Sequence, residues 1–146
     1  MDVSIVIATY NYSDFIESCI NSCLDQIDTK LSYEIIVVDD GSTDKTSEIG
    51  VKISKLNKNI KFIKKNDSKS IASPGKKIIE AFNFGLKHSN SDFDLIGKFD
   101  GDILLPKHYF EYLVKIFEND YKIGLASGIL EISNNKSWEL ENLYNE

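Results

Sequence analysis

The sequence predicts an α/β domain built on a mainly parallel sheet with helices on both faces. Three observations predict it. Short β-branched runs recur along the chain, and each is continuously apolar, as strands covered on both faces are. Stretches with apolar residues at helical spacing separate these runs. The composition, 42% hydrophobic and 27% charged over 146 residues, is that of a globular chain with a core of its own.

The elements follow in order. Val3 to Ala8 is the first buried strand. Asp14-Phe15-Ile16-Glu17 reads as a capping box, and Phe15, Ile16, Cys19, Ile20, Cys23 and Leu24 form the apolar stripe of a helix. Ile35 to Val38 is a second strand. Gly41-Ser42-Thr43-Asp44 turns into a helix carrying Ile49, Ile53 and Leu56. Ile60 to Ile63 is a third strand, and Lys64 to Ser73 a polar loop. Ser73-Pro74 places a capping hydroxyl and a first-turn proline before Ile78, Ile79, Phe82 and Leu86. Asp94 to Phe99 is the fourth strand. Pro106 opens a helix through Tyr109, Phe110, Leu113 and Phe117, and Ile123 to Ala126 starts a fifth strand.

Charge and cysteine usage exclude several classes. The net charge is −6 and all 17 basic residues are lysine. A nucleic-acid groove needs a surplus of cations, so none is expected. Cys19 and Cys23 read as two small buried hydrophobes in a reducing compartment. The opening residues lack the basic and apolar regions of a secretory signal, and no apolar run is long enough to span a membrane. The expected location is the cytoplasm, with the inner face of the membrane as a second possibility.

In such sheets ligands bind at the carboxyl ends of the strands. There the first strand offers Thr9-Tyr10-Asn11-Tyr12, the second Asp39-Asp40-Gly41-Ser42, and the fourth Asp100-Gly101-Asp102. Asp39 and Asp40 serve equally well as helix caps or as acceptors for the N–H and O–H groups of a nucleotide. Asp100 and Asp102 repel one another unless a cation or hydrogen-bond donors compensate, and Mg²⁺ or Mn²⁺ takes such oxygen ligands together with substrate phosphates. Gly101 lets the backbone bend there. Tyr10 either packs at a strand end or stacks on a base. Lys76 and Lys77 open a helix whose amino terminus suits phosphate, or are simply solvated. His88 and His108 read as surface residues.

These pieces, in this order, resemble glycosyltransferase family 2, nucleotide-diphospho-sugar transferases of the GT-A, Rossmann-like fold. Ser4-Ile5-Val6-Ile7-Ala8-Thr9-Tyr10-Asn11 is similar to that family's opening strand and loop. Glu34 to Asp44 is similar to its most recognisable segment, Asp100-Gly101-Asp102 to its Asp-X-Asp metal motif, and Pro106 to a proline often found after it. The resemblance implies that Ala8, Thr9, Tyr10 and Asn11 line a nucleobase pocket. It implies that Asp40 binds the base while Asp39 and Gly41 support the loop. Asp100 would contact ribose or metal, and Asp102 would be the main ligand of Mn²⁺ or Mg²⁺. Lys76 or Lys77 would approach the diphosphate. The implied donor is a UDP-sugar and the acceptor a carbohydrate or lipid-linked glycan, with inversion at the anomeric carbon, in polysaccharide or glycoconjugate synthesis.

The sequence departs from the family in two places. Phe82 stands in Ala81-Phe82-Asn83-Phe84-Gly85 where arginine is common, and no acidic residue from Ile103 onward stands out as the general base. The expected division is therefore a donor-binding domain over residues 1–132 and a tail over 133–146 leading into a missing acceptor region. Two other classes fit less well. A phospho-receiver would not place Asp40 and Asp102 62 positions apart. A dinucleotide-dependent oxidoreductase would carry glycines in the loop from Thr9 to Tyr12, and there are none. A module that binds nucleotide sugar without transferring it is the fourth reading.

Overall fold

The computed structural model describes residues 1–26, 31–65, 74–90, 92–133 and 137–140. The chain divides into two compact units, Met1–Glu111 and Tyr112–Glu146.

The first unit is built on four strands, β1 (Asp2–Thr9), β2 (Ser32–Asp39), β3 (Ile60–Lys64) and β4 (Leu95–Asp100). They lie in the order β3-β2-β1-β4, and every pairing is parallel. Ile5, Val6, Ile7, Ile35, Ile36, Val37 and Val38 are all fully buried, which is why β1 and β2 read as unbroken apolar runs. Three helices fill the crossovers: α1 (Ile16–Leu24), α2 (Thr46–Leu56) and α3 (Pro74–Leu86).

Register decides which helix covers which face. Val6 pairs with Ile36 and Ala8 with Val38, and Ala81 of α3 joins these four in one buried cluster. The approach is close at Gly85, where an added Cβ would sit 2.5 Å from a methyl of Val6 and 2.8 Å from one of Val38. On the other face Ile7 pairs with Val37, and Val37 with Phe62. There Gly50 of α2 abuts the Phe62 ring, and α1 packs beside α2. Helices therefore cover both faces, as the apolar runs require.

The chain steps outward from β1 to β2 to β3, then crosses back to place β4 on the far side of β1. The strand order reverses between β1 and β4, and a crevice opens at the carboxyl ends of strands where that happens.

The elements match their expected positions with several corrections. The segment from Ile123 to Ala126 is not a strand. Gly124 and Gly128 weaken it, no strand among the described residues pairs with it, and Leu125 is 88% exposed. The second unit instead holds a short antiparallel pair, β5 (Glu131–Ser133) with β6 (Trp138–Leu140), and Trp138 is exposed within it. Asp14 does not cap α1: the helix starts from Phe15, and the Tyr12 carbonyl accepts the N–H groups of Phe15 and Ile16. Leu56, placed in the apolar stripe of α2, is 77% exposed at the helix end. A fourth helix, α4 (Tyr109–Asn119), starts three residues after Pro106, whose carbonyl takes the Tyr109 N–H. The Ser73 cap and the loop after Lys65 lie outside the described residues.

Candidate functional site

A cavity of about 410 Å³ opens at the reversal of strand order. It is of the size that holds small ligands. Ala8, Thr9 and Tyr10 supply its floor from the end of β1, Asp40 one wall after β2, and Asp100 another at the end of β4. Lys77, Ile78 and Ala81 of α3 close the fourth side, and Tyr12 completes it.

Two neighbouring aspartates have opposite fates here. Asp39 is fully buried, and its carboxylate accepts hydrogen bonds from the Ser42 N–H at 2.9 Å and from the Ser47 hydroxyl. It organises the turn into α2 and does not line the cavity. Asp40 does line it, with Lys65 bound to its carboxylate at 3.0 Å. Gly41 follows with φ 88°, a backbone conformation that side chains disfavour.

The loop after β1 is laced to the loop after β2. The Asn11 N–H donates to the Ser42 hydroxyl, and the Asn11 side-chain carbonyl accepts the Thr43 N–H. The Tyr12 N–H donates to the Thr46 hydroxyl, and the Ser13 N–H to Asp44. Asn11 reaches this geometry at φ 55°, which asparagine tolerates better than most residues. Asp44 accepts from Thr46 and Ser13, and these bonds, led by the Thr46 hydroxyl, lower its pKa to about 2. Asn11 is thus a fastener of the site and lies outside the cavity lining.

Gly101 sits between the carboxylates of Asp100 and Asp102. A Cβ there would come within 2.9 Å of both the Thr9 hydroxyl and the Tyr12 ring. The Thr9 hydroxyl is buried and has no hydrogen-bond partner among the described residues. A buried unpaired hydroxyl at the rim of a cavity is costly unless something else satisfies it. Asp102 is exposed and does not line the cavity. Burial raises the Tyr12 pKa, and the charges of Asp102 and Asp100 raise it further. Lys98 approaches Asp100 at 3.5 Å.

Cation binding can be tested on these donors. No group of three or more His, Cys, Asp or Glu side chains suited to a metal ion occurs among the described residues. Two carboxylates completed by substrate phosphates are an ordinary Mg²⁺ arrangement, so Asp100 and Asp102 fit a cation that arrives with an anionic substrate.

Of the residues singled out from the sequence, the cavity gathers Ala8, Thr9, Tyr10, Asp40, Lys77 and Asp100. Lys76 points elsewhere, 3.8 Å from Glu80 of its own helix. Ile78 and Ala81 are lining residues that sequence reasoning left out of the site, and Tyr12 was named there in the strand-end loop without a role of its own. Neither histidine lines the cavity: His88 bonds the Phe84 carbonyl and His108 bonds Glu111.

A second cleft, about 390 Å³, lies at the amino ends of the strands and includes Ser4, Glu34 and Asn90. Of its three acidic residues, Asp2, Glu34 and Asp92, the buried one is Glu34, and its carboxylate is engaged. Glu34 accepts from Lys61, from the Asn90 N–H and from the Ser4 hydroxyl. Burial alone would raise the Glu34 pKa, but those bonds outweigh it and lower it.

Residues 4–144 match the family described as Glycosyl transferase family 2. The chain belongs to this family. Within glycosyl transferase family 2, it is 32% identical over 143 residues to a dolichyl N-acetyl-alpha-D-glucosaminyl phosphate 3-beta-D-2,3-diacetamido-2,3-dideoxy-beta-D-glucuronosyltransferase of Methanococcus voltae, covering 94% of this chain and 42% of that protein. It is 30% identical over 138 residues to a poly-beta-1,6-N-acetyl-D-glucosamine synthase of Staphylococcus aureus, covering 92% of this chain and 30% of the synthase. The chain thus spans less than half the length of these relatives. Among solved structures, S. aureus TarS 1-349 in complex with UDP-GlcNAc superposes with a TM-score of 0.66 at 26% identity, over 83% of this chain and 32% of that one. A mannosyltransferase from Pyrobaculum calidifontis, in complex with GDP-Man and Mn²⁺, shares the fold with a TM-score of 0.63 at 23% identity, over 79% of this chain and 32% of that one. The fold is the GT-A, Rossmann-like one.

Proposed function

We propose that this chain is the donor-binding part of a glycosyltransferase that takes its sugar from a UDP-sugar. The observation that carries the reading is one chamber at the reversal of strand order. It joins an exposed aromatic ring, Tyr10, to the Asp40 and Asp100 carboxylates and to the unpaired Thr9 hydroxyl. Tyr10 stacks on the base, and Asp40 accepts a hydrogen bond from its N–H edge. Asp100 would contact the ribose or a bound cation, and Asp102 would be the cation's main ligand, where the cation would supply positive charge for the diphosphate. Lys77, on the opposite wall, is better placed than Lys76 to approach the phosphates. TarS, a relative in fold solved with UDP-GlcNAc, supports UDP as the nucleotide.

Transfer breaks the anomeric C–O bond and leaves a nucleoside diphosphate with added negative charge. Mn²⁺ or Mg²⁺, when bound, neutralises that charge as a Lewis acid. The chain's own residues orient the leaving group: Asp40 and Tyr10 fix one end, Asp100 and Asp102 the other. We favour inversion by direct displacement, a carbohydrate or lipid-linked acceptor, and work in the cytoplasm or at the inner membrane face. No helix among the described residues is long and apolar enough to cross a membrane.

A second reading is a module that holds the donor without transferring it. It is favoured by one observation: among the described residues, the cavity's carboxylates are Asp40 and Asp100, and no lining residue comes from beyond Asp100. Calorimetry with UDP and GDP, with and without Mn²⁺, tests the common part. UDP should bind, and Mn²⁺ should tighten it at least about tenfold, or about 1.4 kcal/mol. Asp102→Ala should remove the Mn²⁺ effect; an unchanged effect would sink the metal assignment. Release of UDP from a UDP-sugar in the presence of a glycan acceptor separates transferase from module.

A further inference from the structure

Lys65 lies outside the cavity, behind Asp40. Its backbone N–H is fixed to the Asp39 carbonyl at 2.9 Å, so its side chain starts from a rigid point at the end of β3. Its ammonium sits 3.0 Å from one oxygen of Asp40 and 3.5 Å from Glu80 of α3. The Lys65 and Asp40 side chains are each only 12% exposed. Among the described residues, Lys65 is the one side chain that hydrogen-bonds the Asp40 carboxylate. Burial would lower the Lys65 pKa, but the bonds to Asp40 and Glu80 outweigh it and raise the value, so the ammonium stays charged. Glu80 belongs to the helix that contributes Lys77, Ile78 and Ala81 to the cavity.

We infer that Lys65 is the positioning residue for nucleobase selection: it holds the Asp40 carboxylate in one orientation as an acceptor, and Glu80 holds Lys65 in turn. The inference rests on the reading that Asp40 meets the base. An ionised carboxylate accepts and cannot donate. It therefore takes a base whose ring nitrogen carries a hydrogen at that edge, as uracil N3 and guanine N1 do. Held there, it meets an acceptor in cytosine N3, while cytosine's donor on that edge is the displaced N4 amino group. Without the ammonium, the Asp40 carboxylate loses the contact that fixes its direction and is free to turn. It can then accept from the cytosine N4 amino group as readily as from uracil N3. Selection between the bases would thus depend on a side chain that touches neither.

Equilibrium binding of UDP and of CDP to the 146-residue chain tests this. The wild type should prefer UDP by about tenfold or more, the scale of one buried polar mismatch. Lys65→Met should weaken UDP binding and collapse the UDP-to-CDP ratio toward one, while Lys65→Arg, which keeps the charge, should keep the ratio. Asp40→Asn should lower the ratio too, and adding Lys65→Met to it should change the ratio no further. Circular dichroism melts confirm that each variant is folded, and Glu80→Gln supplies a milder variant that should lower the ratio partway. An equal loss of UDP and CDP affinity in Lys65→Met overturns the inference, as do losses that add in the double variant. Asp40→Asn with UDP affinity and ratio both unchanged overturns the nucleobase reading itself. So does a wild type that binds neither nucleotide or does not distinguish them.

Discussion

Asp39 and Asp40 are chemically identical and adjacent, yet their surroundings give them separable tasks. Asp39→Ala would leave the Ser42 N–H and the Ser47 hydroxyl without their acceptor, at a cost of about 1–3 kcal/mol in urea unfolding. Asp40→Asn should act mainly on nucleotide affinity. The doublet was visible in the sequence, but the division of labour was not, because either residue could have capped the helix or faced the ligand. Strand direction and the position of Ser47 on α2 decide it. Glu34 makes a different residue-scale prediction. Its pKa is lowered from 4.5 by Lys61, the Asn90 N–H and Ser4 against the opposing effect of burial. Its contribution to stability is therefore full above pH 4.5 and fades as pH falls through the lower folded value. Glu34→Gln should remove that part of the acid limb, measured as the difference between stability-versus-pH curves for the two proteins.

Helix α3 owes its place on the sheet to one missing side chain. Gly85→Ala would drive a methyl into Val6 and Val38, forcing α3 outward and costing about 1–3 kcal/mol by denaturant titration. Because α3 also carries Lys77, Ile78 and Ala81, nucleotide affinity should fall with stability in that variant. Gly101→Ala crowds Thr9 and Tyr12 instead and should hurt nucleotide binding more than folding, the reverse emphasis. Elements were legible where burial dictates composition. β1 and β2 could be read because both faces are covered, and α3 because its apolar spacing and Pro74 agree. The fifth strand was misread because an apolar run near Ile123 looks the same whether or not a partner strand exists. The β5–β6 pair was missed because three exposed residues a side carry no periodic signal.

At the scale of the whole chain, burial is concentrated in the two central strands. Amide hydrogen exchange should find β1 and β2 the most protected, with the segment from Gly124 to Ser127 exchanging fast because it joins no ladder among the described residues. Slow exchange across that segment would show pairing that this structure lacks. The strand-end location of the cavity was legible from parallel topology alone. Its fourth wall was not, because the sequence does not say which turn of α3 comes to rest above Ala8. The bonds from Asn11, Tyr12 and Ser13 to Ser42, Thr43, Asp44 and Thr46 have a mechanical meaning. They make one solid jaw of two loops that are about thirty residues apart in the chain. A nucleotide closing on Tyr10 and Asp40 would meet a surface already set, and any tightening of the grip would have to come from the side of α3.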